Sequence, residues 1–156
     1  MMILTEGALC KIFAGSLEEW IPLPLINRDS IHMAGDNNSG SKRAREITER
    51  YLEFIDRHIE DVVSGRATEL MQLAQIASQL AVSHTHLTDT VQKTMGHHPC
   101  HFYDARIIDK AKQLLTESDT PVSDIAWTLT YDPSNFSKFF KKWTGLTPGD
   151  FRKLNK

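Results

Sequence analysis

Two short stretches of this 156-residue chain space polar side chains so that each set falls on one side of a helix. The first offers His84, Thr85, Thr88, Asp89, Gln92 and Lys93; the second offers Ser134, Asn135, Ser137, Lys138, Lys141 and Lys142. Residues three and four apart on a helix are neighbours, so each set can meet one surface together. The chemistry available is that of a base edge and a phosphate. Threonine can touch a thymine methyl or hydrogen-bond a base, aspartate can accept from cytosine N4, and lysine can address guanine O6 and N7. Thr85, Thr88 and Asp89 of the first set, and Ser134, Ser137 and Lys138 of the second, are therefore the candidate base readers. His84, Gln92, Lys93, Asn135, Lys141 and Lys142 are the candidate phosphate contacts. Taken singly, each is also an ordinary solvated position; the weight lies in the sets.

Other chemistries find less support. His84, His86, His97, His98 and His101 with Cys100 form a dense nitrogen- and sulfur-bearing stretch that could interest zinc. However, His84 and His86 point to different faces of one helix, and the His97–His101 run spans a turn. Packed and surface histidines are expected, and no metal or other cofactor. No GxSxG, P-loop, HExxH or GxGxxG pattern occurs, and the carboxylates sit mostly on polar helix faces, so no catalytic residue and no enzyme is expected.

The elements that must hold the two sets are helical, because useful period-2 alternation is absent and three- and four-residue apolar steps recur. Ile47, Tyr51, Phe54, Ile55, His58 and Ile59 predict a helix from about 42 to 61. Thr68 predicts a cap for a second helix to Leu80, burying Leu70, Leu73, Ala74, Ile76, Ala77 and Leu80. Ser83 predicts the N-cap of a third, from His84 to about Met95, with Leu87 and Val91 inward and Gly96 as its stop. A longer helix follows from Pro99 to about Glu117. Val122, Ile125, Ala126 and Leu129 predict a short one. Asp132-Pro133 is a strong start, an acceptor at N-cap and a proline at N1, for a helix burying Phe136, Phe140 and Trp143. Gly145 stops it, and Pro148 opens a last short helix. The expected fold is all-α, with about seven helices.

Within this series one unit occurs twice. Leu73–Ser83 reads L-x-x-I-A-x-x-L-x-V-S, and Val122–Leu129 reads V-S-D-I-A-x-x-L before its own capped helix. Both units end in Gly-x-x-Pro, at Gly96 and at Gly145. The repeated alanine, Ala77 and then Ala126, has a steric reason: the helices of a helix-turn-helix cross closely, and a bulky residue there would turn the second away from its groove-facing angle.

The stretches LAQIASQLAVSHTHL (73–87), ARIIDKAKQLL (105–115) and PSNFSKFFKKWTGLTPGDFR (133–152) resemble the DNA-binding domain of AraC/XylS-type regulators, over about residues 45–154. The resemblance implies two helix-turn-helix units on a linker helix, a homeodomain-like arrangement with both recognition helices entering successive major grooves of double-stranded DNA. It places base contacts near Thr85, Thr88, Asp89, Ser134, Ser137 and Lys138, and a packing role on His86. The chain departs from the family at Thr130-Tyr131, where Gly-Phe is usual and the turn is one residue short before Asp132. A threonine there costs roughly a kcal/mol if positive φ is needed, unless the shorter turn removes that need. Val91 replaces the usual phenylalanine, and acidic Asp89 lies on the base-facing side.

The expected organisation is a short leader and flexible linker, 1–41, followed by a domain of residues 42–156. Its first unit covers about 42–96, its linker helix about 99–117 and its second unit about 121–154. Residues 34–41, rich in glycine, serine and asparagine, are the expected linker. The formal net charge is −2, low for a nucleic-acid binder, but its distribution is uneven. From Pro133 on, Lys138, Lys141, Lys142, Arg152, Lys153 and Lys156 face Asp150 alone. No run of about 18 apolar residues spans a membrane, and the opening segment lacks a basic n-region for secretion. Cys10 and Cys100 form no CxxC pair and no disulfide framework. The reading is a bacterial, cytoplasmic, nucleoid-associated transcription regulator with DNA as partner and RNA polymerase as a candidate partner. No small-molecule effector site is visible. The alternative is a helix-turn-helix-derived interaction module that modulates another regulator without binding DNA.

Overall fold

The computed structural model describes residues 39–156, which hold seven helices and no strand. They are α1 (Ser39–Val63), α2 (Leu73–Gln79), α3 (His84–Met95), α4 (Pro99–Glu117), α5 (Val122–Thr128), α6 (Pro133–Thr144) and α7 (Pro148–Asn155). The all-α expectation and the order of elements hold. The expected leader lies outside the described residues, apart from its last three positions. Those three open α1 and do not belong to a linker.

Each helix buries one stripe, and the stripes gather into two cores. Ile47, Tyr51, Ile55 and Ile59 of α1 meet Ile76 and Ala77 of α2 and Leu87 and Val91 of α3. The second core joins Ile125 and Ala126 of α5, Leu129 and Phe136 and Phe140 of α6. The linker helix α4 serves both. Phe102, Tyr103 and Ile107 enter the first core, whereas Ile108, Ala111 and Leu115 enter the second. Neighbouring isoleucines point about 100° apart on a helix of 3.6 residues per turn, so one helix can face two cores. The buried Tyr51 hydroxyl donates to the Pro99 carbonyl at 2.7 Å, tying α1 to the start of α4.

The start of α2 differs from expectation. It begins at Leu73, and Thr68 caps nothing. The preceding segment spends its N–H groups elsewhere: Arg66 and Ala67 donate to the Asp61 carbonyl at 2.8 and 2.9 Å. Met71 N–H donates to His58 Nε2 at 3.2 Å, and Gln72 N–H to Gln75 Oε1 at 2.7 Å. Leu70 and Leu73 are half-buried against the first core, which kept the helical period going in sequence, while Ala74 is exposed. Trp143 is half-buried too, not fully inside. Cys100 is buried at the start of α4; Cys10 lies outside the described residues. No helix among the described residues is long and apolar enough to cross a membrane.

Candidate nucleic-acid interface

The two candidate helices, α3 and α6, are built alike. Ser83 is extended and its Oγ accepts from His86 N–H at 3.1 Å, so it caps α3. Asp132 caps α6, one carboxylate oxygen accepting from Ser134 N–H at 3.0 Å and Asn135 N–H at 3.3 Å. Such caps satisfy N–H groups that the first turn leaves open. Both helices run 12 residues and stop at a left-handed glycine, Gly96 at φ 78° and Gly145 at φ 77°. Inward, Leu87 and Val91 anchor α3 as Phe136 and Phe140 anchor α6, all four fully buried.

The turns before them are also alike. Ala81 and Thr130 both have positive φ, and the next N–H returns to a buried alanine: Val82 to Ala77 at 3.0 Å, Tyr131 to Ala126 at 2.9 Å. The second turn therefore matches the first in length and demands the left-handed conformation despite its threonine. Tyr131 lies flat on Phe139, with ring centroids 5.2 Å apart.

The outer faces carry the predicted residues. On α3, His84, Thr85, Asp89, Gln92 and Lys93 are exposed; on α6, Ser134, Asn135, Lys138, Lys141 and Lys142 are. Thr88 and Ser137 occupy corresponding positions and are half-buried. The Thr88 hydroxyl donates to the His84 carbonyl at 2.9 Å, and the Ser137 hydroxyl to the Pro133 carbonyl at 2.9 Å. Their protons are committed to their own helices, so each is free to accept a hydrogen bond, and Thr88 also offers its methyl. His86 is exposed and does not pack as expected, because Leu87 takes the inward position beside it.

Two basic residues of the C-terminal stretch serve position. Arg152 Nε donates to the Leu115 carbonyl at 3.0 Å and its Nη2 to the Thr120 carbonyl at 2.6 Å. Lys156 pairs with Asp119 and donates to the Ser118 carbonyl at 3.2 Å. Together they fasten α7 over the corner between α4 and α5. Sequence reasoning counted both only as charge. No signal in the sequence revealed their carbonyl partners, which lie more than thirty positions away.

The histidines are drawn into packing. His97 and His101 stack with centroids 4.6 Å apart, and His101 meets Trp143 of α6 at 5.2 Å. Burial, and secondarily His97, hold the His101 pKa below its ordinary value. His98 Nδ1 accepts from Cys100 N–H at 3.3 Å and caps α4. Among the described residues, no three His, Cys, Asp or Glu side chains are grouped to hold a metal ion.

Two capped helical pairs on a shared linker helix, each with a polar face on its second member, define a double helix-turn-helix protein. Residues 76–154 match the helix-turn-helix domain family, and the chain belongs to it. It carries the DNA-binding domain of an AraC-family transcription regulator. Over 99 residues it is 36% identical to the uncharacterized HTH-type transcriptional regulator YtdP of Bacillus subtilis, covering 63% of this chain and 13% of that protein. Over 150 residues it is 25% identical to the arabinose operon regulatory protein of Escherichia coli, covering 94% and 46%. The chain thus spans under half the length of either relative. The C-terminal domain of AraT, a response regulator from Geobacillus stearothermophilus, superposes with TM-score 0.60 at 28% identity, covering 69% of this chain and 84% of that one. The DNA-binding domain of AdpA, in complex with a target DNA, shares the fold with TM-score 0.52 at 19% identity, covering 62% and 90%.

Proposed function

We propose that the two helix-turn-helix units read one face of a DNA duplex, α3 and α6 entering successive major grooves about 34 Å apart. The observation that carries this reading is the matched construction of α3 and α6: the same length, the same capping and stopping chemistry, and an outward row of polar side chains on each. Thr85, Thr88 and Asp89 read bases from α3, and Ser134, Ser137 and Lys138 from α6. Thr88 and Ser137 act as acceptors, or through the Thr88 methyl, since their protons are engaged. His84, Gln92, Lys93, Asn135, Lys141 and Lys142 bind phosphate and set the register. The three exposed lysines of α6 make the second unit the larger electrostatic contributor.

The DNA-binding unit is residues 42–156 together with the start of α1, which reaches back to Ser39. We infer that the protein works at the bacterial nucleoid in the cytoplasm, with RNA polymerase as a candidate partner. Selection from random duplexes at two salt concentrations, with the full chain, tests the reading. The expected product is a motif of two blocks about ten base pairs apart that weakens steeply with salt. A single block would leave one unit as a support. No enrichment at low salt would sink the reading and favour a protein-interaction module.

A further inference from the structure

Beside the first turn lies an open groove of about 430 Å³ that neither recognition helix uses. Lys42, Arg43, Glu46 and Arg50 of α1 line one side, and Ala81 and Val82 line the other. Val82 directly precedes Ser83, the cap of α3, so the beginning of α1 stands beside the end of α3 that carries His84 and Thr85. Residues 40–43 are exposed and the first buried side chain of α1 is Ile47. Core packing therefore does not account for this overhanging start.

Its charge does suggest a use. Three cations face one carboxylate in the groove, while Arg45 and Glu49 on neighbouring positions offset each other. Neither Lys42 nor Arg43 forms an ion pair among the described residues. Arg50 reaches the Leu80 carbonyl at 3.4 Å, which holds its guanidinium at the edge of the turn with further N–H groups to spare. In three-helix relatives of the helix-turn-helix, the chain entering the first helix runs beside the minor groove next to the major groove being read.

We propose that the basic start of α1 is a third contact with the duplex: Lys42, Arg43 and Arg50 lie on the sugar-phosphate backbone flanking the major groove entered by α3. This rests on the reading of α3 as a recognition helix. The contact is electrostatic and carries no base preference, since ammonium and guanidinium groups on phosphate recognise charge and spacing alone.

The test compares the full chain with the variant Lys42→Gln/Arg43→Gln/Arg50→Gln, measuring Kd on the selected duplex and on an unrelated one from low to high salt. The expected result is a log Kd against log salt slope shallower by about two to three, with weakened binding to both duplexes and unchanged base preference. The double variant Lys42→Gln/Arg43→Gln leaves the Arg50–Leu80 contact intact and should lower the slope by about one to two, even if the triple variant melts early. An unchanged slope in the double variant, with wild-type binding normal, overturns this proposal alone, as does a changed base preference. Absence of wild-type binding to any duplex overturns the recognition-helix reading and this proposal with it.

Discussion

Ala81 and Thr130 hold the same left-handed backbone conformation, at φ 57° and 62°, in corresponding positions of the two turns. Each sends the following N–H back to the carbonyl of a buried alanine and starts the next helix at a fixed angle. A residue with a β-carbon is strained there, by about 1 kcal/mol. Thr130→Gly and Ala81→Gly should therefore each raise unfolding stability by up to about 0.5 kcal/mol, the relief exceeding the entropy that glycine adds to the unfolded chain. Urea denaturation checks this; a loss of stability in either variant would show the strain to be absent.

Ala126 is fully buried and Ala77 is 1% exposed, each where two helices cross. Ala126→Leu should cost about 1–3 kcal/mol by overpacking, and Ala77→Leu a similar amount. The two sit in separate cores, so the double variant should show the sum of the single losses. Chemical denaturation of all three decides it. Unchanged stability in Ala126→Leu would mean that the crossing is looser than described.

Lys138 and Lys142 separate the two kinds of contact. Lys138→Ala should cost about 1–3 kcal/mol on the selected duplex and relax preference at one base pair. Lys142→Ala should weaken binding evenly across sequences and lower the salt slope by about one. Binding titrations on a set of single-base variants measure both. An even loss for Lys138→Ala would reassign that lysine to phosphate.

His58 is buried, and its Nε2 accepts the Met71 N–H. Burial holds its pKa below the ordinary 6.5, against the opposing pulls of the Glu69 backbone and Asp61. Its folded pKa lies below the unfolded one, so its stabilising contribution is complete above pH 6.5 and lost as pH falls through the folded value. Thermal melts should show a decline on that acid limb, and His58→Gln should flatten it. A limb of equal steepness in the variant would rule His58 out as its source.

Asp104 on α4 has the opposite sign. Its Oδ1 is buried without a hydrogen-bond partner, near the likewise unpartnered hydroxyl of Tyr131. Burial pushes its pKa up to about 7, with Lys142 pulling the other way. A raised carboxyl pKa stabilises the fold most below the unfolded value near 3.8 and loses that contribution as pH rises through about 7. Asp104→Asn should therefore raise Tm most at pH 8, less at pH 5, and change it little near pH 3. An equal shift at all three pH values would point to packing instead of charge.

Much of this architecture was legible because its causes are local. Ser83 and Asp132 announce helix starts through side chains that reach N–H groups two or three residues away. Gly96 and Gly145 announce stops through a conformation that glycine adopts freely. The inward residues Leu87, Val91, Phe136 and Phe140 follow from helical period, and their outward neighbours follow by subtraction. The family resemblance supplied the two-unit arrangement that these parts belong to.

What the sequence by itself determined, then, is the order of the helices, their caps and stops, the repeat and the polar rows on α3 and α6. Tertiary structure alone decided that Leu70 belongs to a loop, because a histidine from α1 takes the Met71 N–H. It decided that Arg152 grips the Leu115 and Thr120 carbonyls and that the start of α1 stands beside the first turn. Short-range hydrogen bonds and helical period involve neighbours in the chain and can be read along it. A side chain with several chemically suitable partners is assigned to one of them only when folding brings a distant segment within reach.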